Sequence, residues 1–329
     1  LAVRLAMPQT GTQAVFNSLA LADIFGIACA FGLSYLFRFE FSKRAYFILS
    51  YMALAAWFYR ELDGNLLFVM ITVQAFGLHM LTYRMKDIML QQFAHIFSFV
   101  AGVWLTERIM RHDAIAPAMI NANALANIGG IVVAGGLSRI LSNEWSKRIY
   151  FLVAYFLLAG WFCRELSDNN ILFVVLTAQA FVFHVLTYRN TDELKRISAH
   201  VFTVLLGLWL IGRLADRHTT ATAIVNVYAF VNLLAIIMGA AAAWLSQIKF
   251  ERIGYAVTVH VLFMGWLLSE LVTLNDGQGY VTIAWGVYGA LLLIVSLRRN
   301  DHKVRLAALA TLFAVVGKLF LIDLAHLEA

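Results

Sequence analysis

Apolar stretches of about twenty residues, the length that crosses roughly 30 Å of hydrocarbon, follow one another from Leu19 to Leu324 with only short polar gaps. Their limits predict twelve helices: 19–37, 45–61, 66–83 and 88–108, then 122–141, 149–165, 170–188 and 194–214, then 225–246, 253–272, 279–297 and 304–324. The stretches lack the alternation of a membrane barrel strand. Pro8 and Pro117, the two prolines, lie outside them. Uninterrupted helices are therefore expected, the form that satisfies backbone polar groups in lipid, and the fold class is all-α, integral to a membrane.

The pattern is written three times. WFYREL at Trp57 to Leu62 returns as WFCREL at Trp161 to Leu166 and, weakened, as WLLSEL at Trp266 to Leu271, at spacings of 104 and 105. LLFVMITVQAFGLHMLTYR from Leu66 returns as ILFVVLTAQAFVFHVLTYR from Ile171, twelve of nineteen positions being identical. Asn17, Asn121 and Asn226 also recur, each followed six residues later by Asp23, Asn127 and Asn232. Self-similarity at a fixed period marks a repeat architecture, and the copies fall at 17–111, 121–217 and 226–325. Four spans per copy keep all copies in one orientation, so parallel four-helix repeats are expected rather than an inverted pair.

Composition changes this picture only by exclusion. Apolar residues make up 62% of the chain, charged ones 13%, and mean hydropathy is +0.78, against about half and a quarter in soluble domains. A water-soluble fold is excluded, and no segment suggests nucleic-acid binding. The net charge of +6 matters less than its placement: seventeen of the 25 basic residues lie in or beside the loops after the first and third spans of each copy. The positive-inside rule makes that face cytoplasmic and puts both ends of the segment outside. Trp57, Trp161 and Trp266 then fall at the outer interface and Tyr83 and Tyr188 at the inner one, where aromatic belts form. Small residues crowd the first spans (Gly26, Ala30 and Gly32; Gly129, Gly130 and Gly135; Gly239 to Ala243), which predicts close helix contacts and deep burial there. Cys29 and Cys163 have no metal or disulfide spacing and are expected to be packing residues. The start at Leu1, without a charged leader, predicts a piece of a longer protein.

Polar groups at membrane depth are costly and raise a functional hypothesis by default. Gln74 and Gln179 share the third spans with His79 and His184; His95 and His200 open the fourth spans. Topology places His79 and His95 both in the inner leaflet, where they could meet, and a haem reading would pair His184 with His200 in the same way. These residues suit hydrogen bonds between helices, a proton relay, or bis-histidine haem ligation; no other feature speaks for haem, and no cofactor is expected. At the outer ends, matching depths predict the ion pairs Glu61 with Arg108 and Glu165 with Arg213. The third copy departs: Glu270 remains, Ser269 replaces the arginine beside it, Asp323 aligns with Arg213, Lys318 precedes it by five residues, and His260 stands at the position of Tyr51 and Tyr155. A buried lysine needs a carboxylate or loses its proton, so His260, Glu270, Lys318 and Asp323 form the candidate specialised site, with Lys318 expected to pair with Glu270 or Asp323.

The string W-x-x-Y-x-A-L-L-L from Trp285, then LRRNDHKVRLAALA and VGKLFLIDLAHLEA, resembles a family of large bacterial multi-pass membrane proteins designated only as a domain of unknown function (family 2339). The resemblance rests on about the last fifty residues. In that family an arginine-rich hairpin precedes K-x-F-L-x-D-L-A, which corresponds here to Lys318, Phe320, Leu321, Asp323, Leu324 and Ala325. It implies a bacterial inner-membrane location, further spans beyond this segment and emphasis on Lys318 and Asp323, without a mechanism. Three functional classes follow: a transporter, flippase or exporter component for a cell-envelope lipid or polymer; a structural or assembly subunit with no site of its own; and an intramembrane enzyme or haem protein. The last is the weakest, since no P-loop, H-E-x-x-H or G-x-S-x-G motif is present. Expected partners are membrane lipids and other membrane subunits or missing parts of the same chain.

Overall fold

The polar gaps end the helices by identifiable local chemistry. Asp87 caps the helix that follows it by accepting from the backbone N–H groups of Met89 and Leu90; Asn121, Asn143, Asp192, Asn226 and Asp301 do the same at five further starts. Each such cap satisfies donors that the first helical turn leaves open. A computed structural model describes residues 18–111, 121–189, 192–216, 223–274 and 277–323. Asn17, Leu324 and Ala325 lie outside these residues, as does the side chain of Asp323. Twelve α-helices occur among the described residues, with no strand: α1 (Ser18–Leu36), α2 (Glu40–Glu61), α3 (Gly64–Met85), α4 (Ile88–Met110), α5 (Ala122–Ile140), α6 (Glu144–Glu165), α7 (Asn169–Arg189), α8 (Glu193–Ala215), α9 (Val227–Leu245), α10 (Lys249–Leu271), α11 (Gly277–Arg299) and α12 (His302–Lys318), the last running into a π-helical turn at Leu319–Asp323. Eight of them, α3, α4 and α7 to α12, are long and apolar enough to cross a membrane.

The chain divides into two compact units at Ser167 and Asp168. In the first, α3 packs on α2, α4 and α5, and α4 on α6. Phe68, Leu105, Ile109, Ala124, Ile131 and Trp161 form one core cluster, and Ala20, Ile27, Trp57, Phe58 and Leu67 a second. Gly130 sits where α5 crosses α3 and α4 most closely, since a Cβ there would come within 3.1 Å of Phe68 and Leu105. In the second unit, α7 packs on α8 and α9, α9 on α10, α10 on α11 and α11 on α12. Thus α3 packs on α5 and α7 on α9, and both packed pairs cross the copy boundaries read from the sequence.

Three sequence expectations are corrected by this packing. The small-residue-rich helix α9 is not the most deeply enclosed: 44% of the apolar window of α3 and of α7 is buried, against 33% in α9. Trp57, Trp161 and Trp266 are buried; the indoles of Trp161 and Trp266 donate to the carbonyls of Ala124 and Ala229 one helix away, so they staple hairpins instead of lying in an interfacial belt. Cys29 and Cys163 are exposed rather than packed.

Asp87 joins the capping of α4 to tertiary contact, because Arg44 Nε donates to its carboxylate at 2.7 Å. Burial opposes ionisation of Asp87, but the Arg44 hydrogen bond, the Leu90 N–H, the Arg44 charge and the Met89 N–H together hold its carboxyl below the usual aspartate range. A lowered carboxyl pKa contributes stability that is present above the unfolded value, about 3.9, and is lost as pH falls through the lower folded value. Replacement Asp87→Ala is expected to cost about 1 kcal/mol from the cap. Melting followed from pH 7 downward should show the difference between wild type and variant narrowing only below about pH 4.

Candidate functional site

In each unit, taken by itself, polar side chains gather toward both ends of the helices. At the end away from the basic loops, Arg60 on α2 reaches Asp23 on α1 at 2.7 Å and also holds Glu61 at 2.5 Å, all three side chains being buried. Glu61 is therefore paired with its neighbour and not with Arg108, as the matched depths predict: one turn of α2 presents both charges to the same buried point. Arg108 instead donates to Asn127 Oδ1 and Asn65 Oδ1 and lies over the Phe68 ring, and Arg164 donates to the Arg108 carbonyl. Glu165 lies beside Arg164 at 3.5 Å.

In the second unit, Arg213 donates to Asn232 Oδ1 at 2.8 Å and Asn170 Oδ1 at 2.7 Å, between the rings of Phe173 and Tyr228. Asn127 and Asn232 thus serve as arginine acceptors where Asp23 has a charge partner. Glu270 accepts from Ile224 N and Asn226 Nδ2, tying α10 to the start of α9. Lys318 Nζ donates to the Gln278 carbonyl at 2.9 Å and Thr282 Oγ1 at 2.8 Å, tying α12 to the first turns of α11. The expected Lys318–Glu270 pair is not formed, since the Glu270 carboxylate is drawn to α9; Lys318 reaches the start of α11 much as Arg213 reaches that of α7. His260 lies ten residues from Glu270, about 15 Å along α10, and bonds Tyr288 and Thr311. The described members of the third-copy group are therefore spread over different contacts.

The other end, toward the basic loops, gathers the histidines. His79 and His95 have ring centroids 4.9 Å apart. His79 Nε2 lies 3.0 Å from Ser98 Oγ and 3.1 Å from Tyr150 OH, and His95 Nδ1 is 3.3 Å from the same hydroxyl. Gln74 on α3 donates to the Tyr51 carbonyl of α2; Gln179 is buried. The second unit has the same arrangement: His184 Nε2 lies 2.8 Å from Thr203 Oγ1 and 3.3 Å from Tyr255 OH, which is 2.6 Å from His200 Nδ1. Tyr150 and Tyr255, each 71 residues after its histidine, were not singled out by sequence reasoning, although they recur at the period of the histidines. Their hydroxyls fill the point on which both imidazoles converge, the place an iron would need, so these pairs fit hydrogen-bonded triads and do not fit a haem. No group of three His, Cys, Asp or Glu side chains suited to a metal occurs among the described residues.

The second unit adds what the first lacks. Glu251 Oε1 lies 3.1 Å from His200 Nε2 and 3.5 Å from Arg196 Nε, and its other oxygen accepts from Ser246. At the position of Glu251 the first copy set has Ser146, and at that of Gly254 it has Ile149. Beside the triad a cavity of about 430 Å³ runs between α7, α8, α9 and α10, within the roughly 300–1,000 Å³ of ligand pockets. Its walls are apolar apart from threonines, and its polar end holds His184, His200, Glu251 and Tyr255. Val204, Leu208 and Ile211 on α8 and Phe250, Gly254 and Thr258 on α10 line it and are exposed, so it opens sideways between these helices. A smaller recess of about 90 Å³ meets it at His184, His200, Ala242 and Glu251 and adds Asp192 and Arg196.

Long apolar helices, large exposed apolar side chains such as Phe25, Phe250 and Phe313, and bonded polar layers define a multi-pass α-helical membrane protein. Its sequence matches the family described as "Predicted membrane protein (DUF2339)" over residues 2–329, and the chain belongs to that family. The match extends far beyond the C-terminal residues that carry the resemblance. No curated protein and no solved structure matches the chain.

Proposed function

We propose that the protein is a transport component, a flippase or exporter element, for an amphipathic molecule of the bacterial cell envelope. In this reading all twelve helices cross the inner membrane as three parallel four-helix copies, 17–111, 121–217 and 226–325, with the basic loops cytoplasmic and both segment ends outside. The observation that carries the functional part is the cavity between α7, α8, α9 and α10: one long apolar chamber, open to the side, with a single charged end. A purely structural subunit has no need of such a space, because unfilled apolar volume forfeits packing. His260, Glu270 and Lys318 act in this account as ties within the second unit.

The test is reconstitution into vesicles with fluorescent short-chain phospholipids of several headgroups, read by accessibility of the label to a membrane-impermeant quencher. Wild-type protein should speed label exchange between leaflets at least about tenfold over protein-free vesicles, a barrier change of roughly 1.4 kcal/mol. Gly207 lines the cavity, and a Cβ there meets no atom within 4 Å, so Gly207→Leu should place its side chain in the chamber and abolish most of the gain. Vesicles with wild-type protein indistinguishable from empty ones would overturn the transport reading and favour the assembly-subunit class.

A further inference from the structure

We infer that the cavity of the second unit is a binding site for one phospholipid carrying a primary amine, with an acyl chain in the apolar chamber and the headgroup in the recess at Arg196, His200 and Glu251. The inference rests on the amphiphile reading above and names its ligand class. From His200 to Ile211 the chamber follows eleven residues of α8, about 16 Å at 1.5 Å per residue, and half of a hydrocarbon core of roughly 30 Å is one leaflet's chain. The chamber therefore matches an acyl chain in length and in chemistry.

Charge at the mouth selects the headgroup. Arg196 stands 3.5 Å from both Glu193 and Glu251, beyond normal hydrogen-bond length, so its guanidinium retains donors for a phosphate, which it binds in planar fashion. His200 Nε2, although 3.1 Å from Glu251, makes no hydrogen bond there and can turn to the same phosphate. Glu251 and Asp192 put carboxylates on the opposite side of the recess. A purely anionic headgroup meets like charge at these carboxylates. A trimethylated amine cannot donate a hydrogen bond to Glu251. A primary ammonium does both things required: it donates to Glu251 while its phosphate faces Arg196. The first unit offers Ser146 and Ile149 at the aligned positions, which removes the carboxylate and adds bulk where Gly254 leaves room, so the site belongs to the second unit.

Native mass spectrometry of the purified chain, titrated with phosphatidylethanolamine, phosphatidylglycerol and phosphatidylcholine of identical acyl chains, tests this. Expected are one saturable adduct with a preference for the ethanolamine lipid of about tenfold, 1.4 kcal/mol, loss of that preference in Glu251→Gln with choline-lipid binding unchanged, and weakening of all three lipids in Arg196→Gln and Gly207→Leu. Gly254→Leu, at a position where an added Cβ also meets no atom within 4 Å, serves as the second cavity-filling variant if Gly207→Leu does not fold. Equal binding of the three lipids, or binding indifferent to both filling variants, overturns the inference. Selective binding without lipid movement in vesicles would leave this site standing and remove only the transport reading.

Discussion

Arg60→Met is expected to be the most damaging single replacement in the first unit, costing about 3–5 kcal/mol, the range found when one partner of a buried ion cluster is removed. Arg60 faces Asp23 and Glu61 with all three side chains at most 6% exposed. Its loss leaves two carboxylates close together in a dry place, where they repel each other and lack the cation that offsets their desolvation. The triple replacement Asp23→Asn, Arg60→Met, Glu61→Gln should recover most of the loss, because a neutral set carries no charge to desolvate. Thermal unfolding of the purified variants, followed by monodispersity after heating, reads both. A wild-type melting temperature for Arg60→Met would show that the cluster does not hold α1 to α2.

In the second unit the corresponding weight falls on Arg213. Arg213→Ala removes two charge-assisted bonds to amide oxygens, from α8 to Asn170 at the start of α7 and to Asn232 on α9, together with the stack on Phe173 and Tyr228. Bonds to a charged group contribute about 1.5–3 kcal/mol each and cation–π contact about 0.5–2. Relief from burying the charge offsets part of this, leaving an expected loss of roughly 3–4 kcal/mol. Arg213→Lys keeps the charge but cannot fork to two acceptors, and should fall between. Melting of Arg213→Ala within a degree of wild type would contradict the clamp.

The helices were legible in the sequence because hydrophobic length is a property of each segment by itself, whereas the caps at Asp87, Asn121, Asp192 and Asn226 emerged from the structure. Also legible was the meeting of His79 with His95 and His184 with His200, which requires only that third and fourth spans be an antiparallel hairpin. What stayed hidden depends on neighbours from helices distant in the sequence. Tyr150 on α6 and Tyr255 on α10 enter the triads of histidines on α3 and α4 and on α7 and α8, and Asn127 on α5 and Asn232 on α9 meet Arg108 and Arg213. Charge alone misdirects in such places: it suggests Glu61 with Arg108, whereas neutral amides, which a charge count ignores, hold Arg108 and Arg213. The same blindness applies to the cavity. An apolar run reads identically whether its side chains fill a space or line one, and Glu251 and Gly254 on α10, where the first unit has Ser146 and Ile149, set the second unit apart.

The central claim is that the second unit's chamber holds a lipid chain with its headgroup at Glu251 and Arg196. Electron microscopy of the protein in nanodiscs containing phosphatidylethanolamine tests it most directly. The account predicts an elongated density between α7, α8, α9 and α10, ending in a headgroup at Arg196, His200 and Glu251, and absent in Gly207→Leu. A chamber closed by its own side chains in every resolved class, with no lipid density in it, would contradict the account.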